Sequence, residues 1–173
     1  MSLLTVAPTI AFIALGSNLG DSVKVLKQAV EQLQSFSDEP LLKSSLWETT
    51  PVDCPPGSPR FINAVVSLAP RKSETPESLL AKLQAMEKEF GRTPKKVLNE
   101  PRPLDLDLIA FGNEVRQSTE LTLPHPRARL RAFVLRPLGE IAPDLILPGQ
   151  AKSVSELLAT LPAGDLEELK RID

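Results

Sequence analysis

Apolar residues fall along this chain in two patterns: short, nearly continuous runs, and stretches in which they recur every three or four positions. "TIAFIALGSN" (Thr9 to Asn18) is a run ended by a glycine motif and predicts a buried strand. Asp21 or Ser22 then caps a helix in which Val23, Leu26, Val30 and Leu33 share one face. "LLKSSLWETT" predicts a second strand, and "FINAVVSL" (Phe61 to Leu68) a third. Between them "PVDCPPGSPR" carries four prolines and a glycine in ten residues, which fits neither a helix interior nor a central strand.

Thr75 followed by Pro76 starts a second helix, lined on one face by Leu79, Leu80, Leu83, Met86 and Phe90 and expected to stop near Gly91. A polar, basic loop runs to Pro103, and Leu104 to Phe111 predicts the next strand, after which "GN" turns the chain into "EVRQSTELTLP". Beyond it the pattern predicts a short helix interrupted by Pro137, an extended piece, and a last helix opened by a capping box from Ser153 to Glu156. The tail "DLEELKRID" fits a frayed helix or a docked one equally.

Strand, helix, strand, strand, helix, strand is the split βαβ order of an α+β, ferredoxin-like βαββαβ domain: an antiparallel sheet with helices packed on it. The short link between the second and third strands makes them antiparallel neighbours, with helices on one face and the other face free for ligands. The 173 residues suit a single domain over 9–161, with an N-terminal extension (1–8) and a C-terminal tail (162–173).

Composition narrows the classes. With 42% hydrophobic residues and no apolar run long enough to span a bilayer, the expected protein is soluble and has no membrane partner. The N-terminus lacks a signal-peptide pattern, and a single cysteine, Cys54, cannot form an internal disulfide, so a reducing, cytoplasmic compartment is expected. A net charge of −2 hides two basic clusters, one of Arg92, Lys95, Lys96 and Arg102 opposed only by Glu100, the other of Arg127, Arg129, Arg131 and Arg136. Either suits a local anion, or a solvated surface. With no Tyr and one Trp there is no aromatic platform for a nucleic-acid partner.

One His and one Cys cannot assemble a usual zinc site. No G-x-S-x-G turn presents a nucleophilic serine, and no phosphate-cradling G-x-x-x-x-G-K-[ST] or G-x-G-x-x-G loop is present. Asp105 and Asp107 offer another way to hold a nucleotide. On a strand they project to one face, about 7 Å apart at Cα, while Leu104, Leu106 and Leu108 face the core. Such a pair can hold magnesium together with substrate phosphates and waters, although an isolated D-x-D is more often a solvated acidic face. Arg92 and Arg102 flank the loop that leads into this strand, and guanidinium groups bind phosphate bidentately. His125, between Pro124 and Pro126, can donate to a phosphate oxygen or serve as a rigid turn residue. Phe61 and Asn63 share a strand face near Thr50, a pairing that suits a flat heterocycle or plain core packing.

The ordered set "ALGSNLGD", "ETTP", "FINAVV", "EKEFGR", "PRPLDLDL", "LPHPR" and "RAFVLRPLGEIAPDL" resembles the 6-hydroxymethyl-7,8-dihydropterin pyrophosphokinase family from about Ile10 to Leu147. The resemblance implies an ATP-dependent diphosphotransferase of folate biosynthesis: pyrophosphate passes from ATP to the hydroxymethyl group of the dihydropterin, and AMP is released. It implies two Mg²⁺ on Asp105 and Asp107, and a pterin pocket of Thr50, Pro51, Phe61, Asn63 and Phe133 in which the two phenylalanines sandwich the ring. It places Glu87, Leu108, Thr122, His125 and Arg131 around ATP, and Arg92 and Arg102 on its phosphates during transfer. The expected partners are these small molecules alone, and the expected state is a monomer.

The chain departs from the family pattern in the loop "GRTPKKVLNEPR", where Pro94, Leu98-Asn99 and Glu100 replace residues common in bacterial members. Glu120 also replaces a common basic residue. Glu100 must point away from an incoming triphosphate or meet Lys95 or Lys96. The alternative these changes raise is a pterin- and nucleotide-binding homologue with weak or lost turnover.

Overall fold

A computed structural model of the chain describes residues 8–50, 55–92 and 100–173. In chain order these form β1 (Ala11–Ser17), α1 (Ser22–Leu33), β2 (Leu42–Lys43), β3 (Trp47–Thr49), β4 (Phe61–Leu68), α2 (Pro76–Glu89), β5 (Asp105–Phe111), β6 (Arg116–Gln117), β7 (Thr122–Leu123), α3 (Ala132–Ile141), α4 (Val154–Thr160), α5 (Ala163–Glu167) and β8 (Lys170–Arg171). The main sheet runs β5-β1-β4-β3-β8 with β2 also paired to β4, and every pairing is antiparallel. The expected α+β, ferredoxin-like class is what the chain adopts.

Local chemistry explains where the helices begin and end. The Asp21 carboxylate caps α1 by accepting from the Lys24 amide at 3.2 Å, and Leu26, Ala29 and Leu33 form its buried face. Thr75 and Ser78 make a reciprocal capping box around Pro76, and Leu79, Leu83 and Met86 face inward. Gly91, at φ +96°, takes the left-handed turn that stops this helix.

β1 is buried along its whole length because both of its faces are covered. Ile13 and Leu15 join Leu26, Leu79 and Leu83 in a core under α1 and α2. Phe12 and Ala14 join Leu135, Leu138 and Val154 in a second core under α3 and α4. The expectation of one free face is therefore corrected: α3 and α4 cover part of that face, and only the end beyond them stays open.

Three further differences have local causes. The second strand is split into β2 and β3, because Lys43 to Trp47 spans four steps where Val66 to Asn63 spans three. Ser44 fills this bulge, its amide donating to the Val65 carbonyl and its hydroxyl accepting from the Val65 amide, both at 2.9 Å. Pro137 does not interrupt α3, which runs through it. A proline removes only one N–H from a helix, and here it is buried in the packed face. The tail is docked: α5 packs on α3, and β8 pairs with β3. Among the described residues no helix is long and apolar enough to cross a membrane.

Leu83 is fully buried between helix and sheet, whereas Leu42 is 58% exposed. Leu83→Ala is expected to cost about 2–5 kcal/mol and Leu42→Ala no more than about 0.5 kcal/mol. Urea titration reads both as shifts of the midpoint at constant slope.

Candidate active site

The open end of the sheet owes its composition to strand register. Gly16 of β1 stands opposite Asn63 on one side and Asp105 on the other, and one pair further along Ala14 stands opposite Val65 and Asp107. Directly paired residues share a face, so the amide and the two carboxylates project together, separated by residues with little or no side chain. A Cβ added at Gly16 would lie 3.3 Å from Asn63 Oδ1 and 3.7 Å from the Phe61 ring, so the glycine keeps the floor open. Above this floor lies a cavity of about 370 Å³. Phe61 and Asn63 line one end, Asp105 and Asp107 the other, and Arg131 and Phe133 come in from the start of α3.

The charges interlock. Asp105 accepts from Arg92 at 2.7 Å and from Arg102 at 3.4 Å. Glu87, on α2, accepts from Arg92 at 2.6 Å and from the Leu106 amide at 2.9 Å, which fixes the guanidinium against β5. Burial opposes the Arg92 charge, but Asp105 and Glu87 outweigh it and hold its pKa above the ordinary value. Burial raises the pKa of Glu87, and its donors offset only part of that rise. Asp107 is pushed up to about 7, first by burial and then by the neighbouring Asp105 charge, which Arg131 and Arg92 oppose only in part.

This pair suits a hard divalent cation: two carboxylates project from one strand face, and one of them is held in an environment that penalises its bare charge. Among the described residues no group of three or more His, Cys, Asp or Glu is placed to hold a metal. The two carboxylates amount to a partial site, of the kind that in general needs further oxygen ligands to be complete.

His125 is placed by a bulge. Phe12 pairs with Ala110 but Ile13 with Leu108, so Ile109 is the extra residue of β5, and its carbonyl accepts from the His125 amide at 2.8 Å. The Nδ1 atom accepts from the Arg127 amide at 3.2 Å, leaving Nε2 as the protonated, donating nitrogen. Burial, then the charges of Arg131 and Arg127, lower its pKa and favour the neutral ring.

Of the other expected site residues, Thr50 lines the cavity and Thr122 is exposed on β7. The Leu108 side chain is buried in the α1/α2 core and Glu87 buttresses Arg92, so neither lines the cavity. Pro51 lies outside the described residues, as do Pro94, Lys95, Lys96, Leu98 and Asn99 of the basic loop. Glu100 shares a smaller hollow with Arg92 and Arg102. Two arginines also touch the aromatic pair, with Arg102 over the Phe61 ring at 5.7 Å and Arg131 over Phe133 at 5.4 Å.

Some site residues escaped the sequence reading. Asn18 is buried and clamps the incoming loop, its side-chain Oδ1 accepting from the Arg102 backbone amide at 2.9 Å and its backbone N–H donating to the Arg102 carbonyl at 3.1 Å. Its place in "GSN" marked a strand end, but nothing local named its partner 84 residues away. Asp165, Glu168 and Leu169 of the tail also line the cavity.

The Asp107 shift has a consequence for stability. Its folded value, about 7, lies above the ordinary 3.8, so folding takes up a proton between about pH 4 and 7, and the metal-free protein loses stability as pH rises through that window. Glu87 contributes in the same sense and His125 in the opposite one. Asp107→Asn is expected to raise the melting temperature at pH 8 in chelator by about 3–8 °C and to flatten its fall between pH 5 and 8. Thermal melts of the two proteins across that range check this.

Comparison with known proteins bears on this arrangement. Residues 12–143 match the family model described as 7,8-dihydro-6-hydroxymethylpterin-pyrophosphokinase (HPPK). The chain is 40% identical over 149 residues to the 2-amino-4-hydroxy-6-hydroxymethyldihydropteridine pyrophosphokinase of Haemophilus influenzae, covering 86% of this chain and 90% of that one. It is 37% identical over 159 residues to the protein of the same name from Pseudomonas aeruginosa, covering 91% and 95%. It is also 37% identical over 157 residues to the Folic acid synthesis protein fol1 of Pneumocystis carinii, covering 90% of this chain but 20% of the fungal one. Among solved structures, wild-type Plasmodium falciparum HPPK-DHPS superposes with a TM-score of 0.73 at 14% identity, over 96% of this chain and 44% of that one. That likeness bears on the fold, and this chain spans less than half of the solved one. The family match covers the strands and the helix start that carry the aspartates, the amide and the aromatic pair, and the chain belongs to the 7,8-dihydro-6-hydroxymethylpterin-pyrophosphokinase (HPPK) family.

Proposed function

We propose that this chain transfers pyrophosphate from ATP to the hydroxymethyl group of 6-hydroxymethyl-7,8-dihydropterin, releasing AMP and the pterin diphosphate for folate biosynthesis. The observation that carries the reading is the row Asn63–Gly16–Asp105. It sets a heterocycle-reading amide and a cation-binding carboxylate about 10 Å apart, two strand spacings, across a bare floor. A flat ring held at one end therefore has its substituent directed at the other.

In this reading Phe61 and Phe133 hold the two faces of the pterin, while Asn63, Thr50 and Pro51 meet its edge. Asp105 and Asp107 hold the magnesium, two ions in all, which supplies charge neutralisation along the triphosphate. Arg92 and Arg102 reach the phosphates by exchanging Asp105 for them, a short move because both already border the cavity or its adjoining hollow. Arg131 and the Nε2–H of His125 meet phosphate oxygens, and Thr122, Leu108 and Glu87 belong to the ATP side, Glu87 through its grip on Arg92. The hydroxymethyl oxygen attacks the β-phosphorus in line while the bond to the α-phosphate oxygen breaks, and AMP leaves. Positioning and electrostatics carry the rate, and no covalent enzyme intermediate is needed. Every residue named comes from one chain, so the reading needs no second subunit, and the single cysteine, Cys54, is in keeping with a reducing cytoplasm.

Incubation with ATP, Mg²⁺ and the dihydropterin is expected to release AMP in step with pterin diphosphate. ADP in its place overturns the assignment, and binding of both ligands without product identifies a homologue that has lost turnover. Asp105→Ala and Asp107→Ala are expected to abolish turnover without unfolding the chain. Arg92→Ala and Arg102→Ala are expected to lower kcat by about 10²–10³-fold. Phe61→Ala is expected to act on the pterin KM instead, raising it about tenfold.

A further inference from the structure

The family match ends at residue 143, yet the cavity has a wall built from residues beyond it: Asp165, Glu168 and Leu169. This wall is tied firmly to the sheet. β8 pairs with β3 through Trp47 with Arg171 and Glu48 with Lys170. The Ile172 amide donates to the Leu46 carbonyl at 3.0 Å, and the Leu46 amide donates to Asp173 Oδ1 at 2.7 Å. The tail thus runs alongside the strand that leads into Thr50, at the heterocycle end of the cavity.

At that point the Thr50 hydroxyl donates to the Glu168 carboxylate. A hydroxyl has one proton and two lone pairs, so Thr50, with its proton given to Glu168, has only lone pairs left for the cavity that it lines. Nearby, Asn63 donates through Nδ2 to Thr49 Oγ1 at 3.0 Å, and its Oδ1 stands over Gly16 at the floor. The Thr50 hydroxyl oxygen and Asn63 Oδ1 are the acceptors this leaves.

We infer that Glu168 is a positioning residue which, through Thr50, sets this end of the cavity to accept hydrogen bonds from N–H groups on the edge of a ligand ring, and that residues 163–173 are the wall that holds it there. The inference rests on the pterin reading above: a pterin carries its 2-amino group and a ring N–H side by side, a donor edge that such acceptors match. A ring with oxygen in place of that amino group keeps the ring N–H but sets lone pairs against lone pairs where the amino group stood. Selectivity between the two rings is the property Glu168 confers.

The test is steady-state AMP release by the full chain, with the pterin and with its 2-oxo counterpart. Glu168→Ala is expected to raise the pterin KM about 5–10-fold, to leave the ATP KM and kcat within about twofold, and to shrink the preference for the 2-amino ring by the same factor as the KM rise. Glu168→Gln, which keeps an acceptor for the hydroxyl, recovers most of the loss. Thr50→Val reproduces it, and Glu168→Ala adds nothing in that background. An active wild type whose Glu168→Ala variant keeps its pterin KM and its ring preference overturns this inference alone. So does an equal rise in the ATP KM, or an additive double variant. A wild type that releases no AMP overturns the proposed function and this inference with it.

Discussion

Asp107 sits in the cavity floor beside a second carboxylate, in an environment that holds its pKa near 7, and most of the site can be read as a response to that charge problem. Two acids on one strand face repel each other, and burial denies them the water that screens such repulsion elsewhere. Arg92 and Arg102 settle on Asp105, and Glu87 pins Arg92 in turn. Asp107 has the weaker compensation, from charges that act through space. The result is an arginine–carboxylate network in which the acids have the chemistry of a cation site and the arginines that of a phosphate site.

This network is possible only because the scaffold beneath it is rigid. β1 is paired on both sides and covered on both faces, so the register that aligns Asn63, Gly16 and Asp105 cannot slip by one residue without exchanging Ile13 and Leu15 with Phe12 and Ala14 between two differently packed cores. The bulge at Ile109 moves the remainder of β5 by one residue and gives the His125 loop its anchor. Asn18 fastens the arginine loop to the end of β1.

The tail shows how a cavity can be finished by residues outside its core motifs. Its backbone pairs with β3, its carboxylate meets Thr50, and its helix leans on α3, so stability and site shape are coupled there through one short segment.

Much of this was legible in residue order. Apolar periodicity located β1, α1, β4, α2 and β5, the caps at Asp21, Thr75 and Ser153 marked helix starts, and the two-residue step from Asp105 to Asp107 placed both acids on one face, because these are local rules of backbone geometry. The resemblance carried by the ordered motifs supplied the substrate class. Only the tertiary structure decided which face α3 and α4 would cover, that Pro137 is tolerated inside a packed helix, and that the tail would dock and bring Glu168 to Thr50 across 118 residues. It also decided the high pKa of Asp107. Burial and long-range pairing depend on the simultaneous position of many segments, and no window of sequence contains that information.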